Sequence, residues 1–317
     1  MDKIELVSRD ELEERLRLYL EQRLMPDYFL YLGDSGSQSW LDLSESDEFP
    51  VASRLTDLLI ASLPRLTPRL PTRFDMASIG VGGGEKERLL LEHLEPGRIG
   101  RYYAVDVSSH LVDLALGAVE GTATEKTGVV AFLEDLPRLR TLWRSPVLLC
   151  LLGNNLCNYE PDYIFELVRE QLGPEDLFLL DCHLLAEEQD NSKAATQRIH
   201  SAYCSEANTR FNTSPLLERG LAPEDCRFCL ELVTASTRLG SACRTSKRIE
   251  ILRDTEIRCN GRRVSMRAGD TIEMGFTYKY TSSQVRDNLR YYGFEECEWV
   301  LSTDEENLLA LLRRQHG

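Results

Sequence analysis

Leu12, Leu16 and Leu20 recur on one helical face behind Ser8 and Glu11. A serine followed three residues later by glutamate is a capping-box start, so the pattern predicts an opening helix that ends near Pro26. The next stretch, "YLGDSGSQSWLDLSESDEFP", is dense in Gly, Ser and Asp and predicts a loop, with a second helix from about Ala52 to Leu63. "PRLTPRLPTRFD" reads as a proline-punctuated connector, and a new layer begins at Asp75. From there apolar runs alternate with helical patterns: "MASIGVG", a helix over Glu85 to Leu94, "YYAVDVS", a helix from about Ser109, "VVAFLED", "VLLCLLGNN", a helix from Tyr163 to Leu172, and "LFLLDCHLL". Parallel strands need helical crossovers, so this alternation predicts an α/β fold with a doubly wound sheet.

After Asp190 the pattern becomes polar and helical. It then alternates with period two from Cys226 onward, between turn signals at Asn260-Gly261 and Ala268-Gly269. That predicts an antiparallel insert. The tail predicts a helix from Ser283 to Tyr291, a stop at Gly293, a strand "FEECEWVLS" and a terminal amphipathic helix. The expected organisation is N-terminal helices and a substrate loop packed on the core over 1–70, a core over 71–190, an inserted α+β substrate-binding domain over 191–274, and a return to the core over 275–317.

With 317 residues and 42% hydrophobic content the chain can build a sizeable core. No apolar run has the length of a membrane span, and the charged start lacks the apolar segment of a signal peptide, so a cytoplasmic protein is expected. Nine cysteines, scattered among predicted core strands (Cys150, Cys182) and surface segments, read as reduced thiols. The close pair Cys226 and Cys229 has no second pair and no nearby histidine, so no metal site is expected. A formal charge of -15 repels phosphate backbones and argues against nucleic acid; a small cationic or zwitterionic ligand fits better.

In "SIGVGGGEKERLLL" a strand runs into a glycine turn and then a helix, an arrangement that lets the backbone approach a ligand closely. Gly80, Gly82 and Gly84 are evenly spaced, with Glu85 where the dinucleotide fingerprint requires its third glycine. The spacing therefore speaks against NAD and suits a ligand without a pyrophosphate, such as S-adenosylmethionine. Asp106 ends the second strand and suits both ribose hydroxyls; Glu134 and Asp135 end the third and suit an adenine amino group.

These motifs, together with "LLGNNLCNYEP", "AYCSEANTRFNTSPL" and "GDTIEMGFTYKYT" in this order, resemble the histidine Nα-methyltransferase family of ergothioneine biosynthesis, itself similar to fungal dimethylallyltryptophan N-methyltransferases. The resemblance runs from Gly36-Ser37 to the end. It implies a Rossmann-like class I methyltransferase core with an inserted substrate domain, and S-adenosylmethionine as cofactor. It further implies that Gly80 and Lys86 lie against the cofactor, that Asp106 holds its ribose, and that Gly153, Asn158 and Tyr203 match positions that bind an amino acid's carboxylate. Two positions depart from it. Where the family's histidine-reading strand carries Glu and Ser, this chain has Gly275 and Thr277; where the family has Tyr-Tyr-Pro, it has Glu48, Phe49 and Pro50. A buried imidazole N–H left without its acceptor costs about 1 to 3 kcal/mol, so the expected acceptor is the α-amine of an amino acid or a derived metabolite other than histidine. Thr277, if near that amine, orients it. Methylation of a side-chain amine, guanidine or hydroxyl is the alternative. A catalytically inactive cofactor-binding subunit is another, kept open by Ser78, which stands where many methyltransferases carry an acid. Oligomeric state is not legible.

Overall fold

Ser8 Oγ accepts the Glu11 N–H and the Glu11 carboxylate accepts the Ser8 N–H at 3.0 Å, closing the capping box that starts α1 (Arg9–Glu21). The computed structural model describes residues 2–122, 125–144, 146–185 and 192–315. Its centre is a sheet of β1 (Asp2–Glu5), β3 (Phe74–Ile79), β4 (Ile99–Asp106), β5 (Lys126–Val130), β6 (Val147–Leu151), β7 (Leu177–His183), β13 (Phe294–Leu301) and β14 (Asn307–Arg314). The strand order is β1-β5-β4-β3-β6-β7-β14-β13; all neighbours are parallel up to β7, and β14 pairs antiparallel with both β7 and β13. Alternate residues of each strand enter opposite cores. Met76, Ala104 and Leu148 pack with α3 (Val51–Leu66), α4 (Glu85–Glu92) and α5 (Ser109–Ala118), while Ala77, Val105 and Leu149 pack with α6 (Leu136–Leu139), α7 (Pro161–Gln171) and α10 (Ser282–Tyr291). That is the doubly wound α/β architecture the alternation predicts.

A second sheet is antiparallel apart from one short pairing. β8 (Cys226–Thr237), β9 (Gly240–Ile251) and β12 (Thr271–Lys279) follow in sequence, and β2 (Leu24–Met25), from the N-terminal segment, adds to β12 in parallel. β12 runs unbroken from the insert toward the core, through positions 274 and 275. The hairpin of β10 (Thr255–Cys259) and β11 (Arg262–Met266) turns at Asn260-Gly261 with both φ positive, the geometry of a two-residue turn. α8 (Ser192–Tyr203) and α9 (Glu206–Leu217) complete the insert.

Two expected elements are different. The segment expected as a loop before Phe49 is largely the helix α2 (Gly33–Ser44). Its small residues serve close packing: a Cβ on Gly36 would lie 2.6 Å from the Leu30 carbonyl oxygen, and Ser37 Oγ donates back to Gly33 O at 2.8 Å. The expected terminal helix is strand β14. Its run Leu308 to Leu312 is buried on both faces between two neighbours, and a short continuous apolar run of that kind has no periodicity to separate strand from helix. The charged N-terminus also holds strand β1 at the sheet edge, which the apolar pattern does not announce. No helix among the described residues is long and apolar enough to cross a membrane.

Candidate active site

The chain leaves β3 toward β4 and β5 on one side and returns to β6 on the other, so the crevice beyond the ends of β3 and β6 is the sheet's topological switch point, where ligands bind in open α/β sheets. Its floor is the glycine turn. Gly80, Gly82 and Gly84 all have positive φ, and a Cβ on Gly84 would sit 2.7 Å from the Ala115 Cα. Only glycine lets α4 start that close to α5. Asn155 Nδ2 donates to Gly80 O at 2.9 Å, tying the end of β6 to the turn. Beneath it Ser78 Oγ donates to the buried Glu87 carboxylate at 2.5 Å, so an acid from α4 meets the end of β3. Burial raises the pKa of Glu87.

Asp106, at the end of β4, accepts the Gly82 N–H (3.2 Å) on Oδ2 and the Ser108 N–H (2.9 Å) on Oδ1. Burial pushes its pKa up to about 6. Each carboxylate oxygen keeps a lone pair after these bonds, so the group fits two ribose hydroxyl donors. Glu134 shares this end of the crevice: after burial, it and then Asp106 are the strongest of the charges that push the Tyr159 hydroxyl pKa upward. Asp135 is engaged otherwise, accepting the Phe132 N–H and pairing with Arg138 at 2.9 Å, both within a local turn beyond β5. The donors and acceptors fit S-adenosylmethionine, with Asp106 for the ribose and the turn's backbone beneath the amino-acid end. Ionised Asp106 accepts from both hydroxyls, whereas protonated Asp106 cannot, so cofactor affinity should fall as pH drops through about 6. Calorimetric titration between pH 5 and pH 8 checks this; a flat affinity would separate Asp106 from the ribose.

Beside the turn lies a cavity lined by Lys86, Gly153, Asn158, Phe49, Tyr203 and Thr277, among others. Six expected residues from distant parts of the chain thus meet around one space. Lys86 Nζ is 3.8 Å from Asp181 Oδ2, and Asp181 Oδ1 accepts the Asn154 N–H at 2.6 Å. Asn158 ends a short turn after β6; its Oδ1 accepts the Thr277 hydroxyl at 2.9 Å. A helix-cap role for Asn158 does not arise, because Glu160 holds the N-cap position of α7. Tyr203 Oη accepts an N–H from Lys279 at 2.8 Å, and the Lys279 ammonium also lies 3.1 Å from His183 Nδ1. Lys279 is fully buried, and His183 stays neutral because burial, then the Lys279 charge, lower its pKa. Phe49 meets the Tyr203 ring edge-on at 5.2 Å, and Tyr31, Trp40 and Phe211 form an aromatic wall with centroids 5.4 to 5.6 Å apart.

Gly275 is placed differently from an open pocket position. A Cβ there would lie 2.3 Å from Asp27 Cγ, so the Asp27 carboxylate already fills the space a side chain would take. Asp27 Oδ2 accepts from Lys247 Nζ at 2.6 Å, and both residues line the cavity. Asp27, Lys247, Asp181 and Lys279 are site residues that the sequence reading does not single out. For two of them a signal exists: an acid inside the apolar run "LFLLDCHLL" needs a partner, and Lys247 shares a period-two face with Thr245, Ile249 and Ile251. Among the described residues no group of three or more His, Cys, Asp or Glu could hold a metal ion.

Solved structures with similar folds include an S-adenosylmethionine-dependent methyltransferase from Clostridium acetobutylicum, 12% identical, covering 83% of this chain and 92% of that one with a TM-score of 0.42. Another is S-adenosylmethionine-bound CalS10, an amino pentose methyltransferase from Micromonospora echinaspora, 12% identical, covering 87% of this chain and 95% of that one with a TM-score of 0.38. A search of curated proteins returned no match. The model of the S-adenosylmethionine-dependent, histidine-specific methyltransferase family matches residues 9–314, nearly the whole chain with every element of the crevice, and the protein belongs to that family.

Proposed function

We propose that this S-adenosylmethionine-dependent methyltransferase acts on the α-amine of a free amino acid or amino-acid-derived metabolite other than histidine. What supports the reading is the direction of the hydrogen bonds around the cavity. Tyr203 Oη accepts from Lys279, which leaves its own O–H free to donate. Asn158 spends Oδ1 on Thr277, which leaves its NH₂ as a donor. Two neutral donors, one backed by a buried lysine, suit a carboxylate. The Thr277 O–H donates its hydrogen bond to Asn158 Oδ1, so toward an amine the hydroxyl offers only lone pairs and accepts an N–H. That orients the nitrogen lone pair away from the threonine.

The bound cofactor supplies an electrophilic methyl group on a sulfonium. The protein's part is positioning: the acceptor amine must be neutral, so its proton leaves to solvent before transfer, and activity should rise with pH through the bound amine's pKa. The rings of Tyr31, Trp40 and Phe211 give this end an apolar wall. The test compares an accepted amino acid with the same amine lacking its carboxylate, with product mass as the readout. The decarboxylated amine should be the poorer substrate by at least about tenfold, the worth of one charge-assisted hydrogen bond. Asn158→Ala should lower activity on the acid far more than on the amine; equal losses would reject a carboxylate grip.

A further inference from the structure

The position from which the family reads histidine is glycine here, and the space is not empty. Strand β12 carries a bulge between Glu273 and Phe276: Glu273 pairs with Arg248 and Phe276 with Ser246, so Met274 and Gly275 together oppose Lys247. The bulge and the missing side chain admit the Asp27 carboxylate from the segment after β2. Asp27 and Lys247 form an ion pair at 2.6 Å, with side chains 18% and 7% exposed, on the cavity wall. Oδ1 of Asp27 is buried and takes no hydrogen bond from the described residues.

We infer that the Asp27–Lys247 pair reads the acceptor's side chain, and that this side chain ends in a neutral group carrying both an N–H donor and an acceptor oxygen, as a carboxamide does. The inference rests on the proposed α-amine reading and names its substrate class. Asp27 Oδ2 is committed to Lys247, so Oδ1 is the oxygen left to accept an N–H. An ammonium has three N–H bonds, and one of those of Lys247 is spent on Asp27, so a carbonyl oxygen can take another. The pair's charges cancel. A carboxylate or ammonium on the substrate would leave a net charge uncompensated in a largely buried place, and an alkyl or thioether end would leave the Asp27 oxygen unpaired. Site-made polar contacts discriminate more strongly than apolar volume does, so the expected selectivity is large.

The test uses the full chain loaded with S-adenosylhomocysteine for calorimetric binding, and with S-adenosylmethionine for turnover. The probes are glutamine, glutamate, methionine and lysine, which are close in length and differ in their end groups, and histidine, whose neutral imidazole also pairs an N–H with an acceptor atom. Glutamine should bind and turn over at least about tenfold better than each of the others. In the double variant Asp27→Asn with Lys247→Met, which removes both charges together, the glutamine-to-methionine ratio should fall toward one, with cofactor binding as the check on folding. A wild-type preference for histidine, glutamate, lysine or methionine, or an unchanged ratio in the folded double variant, overturns the assignment. Selective glutamine binding without methylation would instead overturn the α-amine reading and leave the pair's role standing. No binding preference in either assay overturns the pair's role whatever the product.

Discussion

Asp106→Asn should weaken S-adenosylmethionine binding by about 10- to 150-fold at pH 8, with little change in stability there. The binding loss follows from replacing an ionised acceptor by an amide: a charge-assisted bond to a ribose hydroxyl is worth about 1.5 to 3 kcal/mol. Stability obeys a different balance. Both oxygens of Asp106 accept backbone N–H bonds, and asparagine must turn its NH₂ toward one of those donors. Against that cost, the native carboxylate is itself unfavourable when ionised, because burial raises its pKa from 3.8 to about 6. A carboxyl whose folded pKa lies above its unfolded value binds its proton more readily in the folded state. The wild type therefore gains stability relative to the variant as pH falls from about 6 to about 4, by as much as about 3 kcal/mol, and loses that advantage above pH 6. Thermal unfolding of both proteins across this range, paired with calorimetry at pH 8, separates the two effects. Unchanged cofactor affinity in a folded variant would reject Asp106 as the ribose partner.

The core sheet was legible because parallel strands and their crossover helices write long alternating blocks, and "SIGVGGGEKERLLL" marks the strand, turn and helix at the switch-point crevice. Residues whose role depends on the local backbone were legible for the same reason: Gly84 has to be glycine because Ala115 lies against it. Elements whose burial is set by distant partners were not. α2 has the composition of a loop and becomes a helix because Gly36 and Ser37 let it press on the preceding segment, and β14 becomes a strand because β7 and β13 hold it on both sides. The site divides along the same line. Asn158, Tyr203 and Thr277 sit in the motifs that carry the family resemblance, whereas Asp27 follows a proline in the apolar and aromatic stretch "LMPDYFLYL", and nothing local connects it to a glycine some 250 residues away. The pairing of β2 with β12 and the bulge beside it bring them together.

Gly275→Glu, which would place an acid on β12 beside Asp27, should destabilise the protein by about 3 kcal/mol or more and should not by itself create a histidine site. The new Cβ would fall 2.3 Å from Asp27 Cγ and 2.5 to 2.6 Å from its oxygens, distances no Cβ tolerates, and Asp27 is held there by Lys247. Overpacking costs about 1 to 3 kcal/mol, and a second carboxylate beside Asp27, with one lysine between them, adds like-charge repulsion. Removing the occupant should reverse the effect: in Asp27→Gly with Gly275→Glu the acid returns to the strand, the lysine keeps a partner and most of the lost stability is recovered. The two sites are in contact, so the cycle of wild type, two single variants and the double variant should show a coupling well above the roughly 0.5 kcal/mol typical of independent positions. Thermal unfolding measures it. The same double variant is where the ratio of histidine to glutamine turnover should rise, because its carboxylate now stands on β12, on the face it shares with Thr277. If Gly275→Glu is tolerated alone, Asp27 does not fill that space in solution; if the cycle is additive, the carboxylate was not exchanged between the two elements.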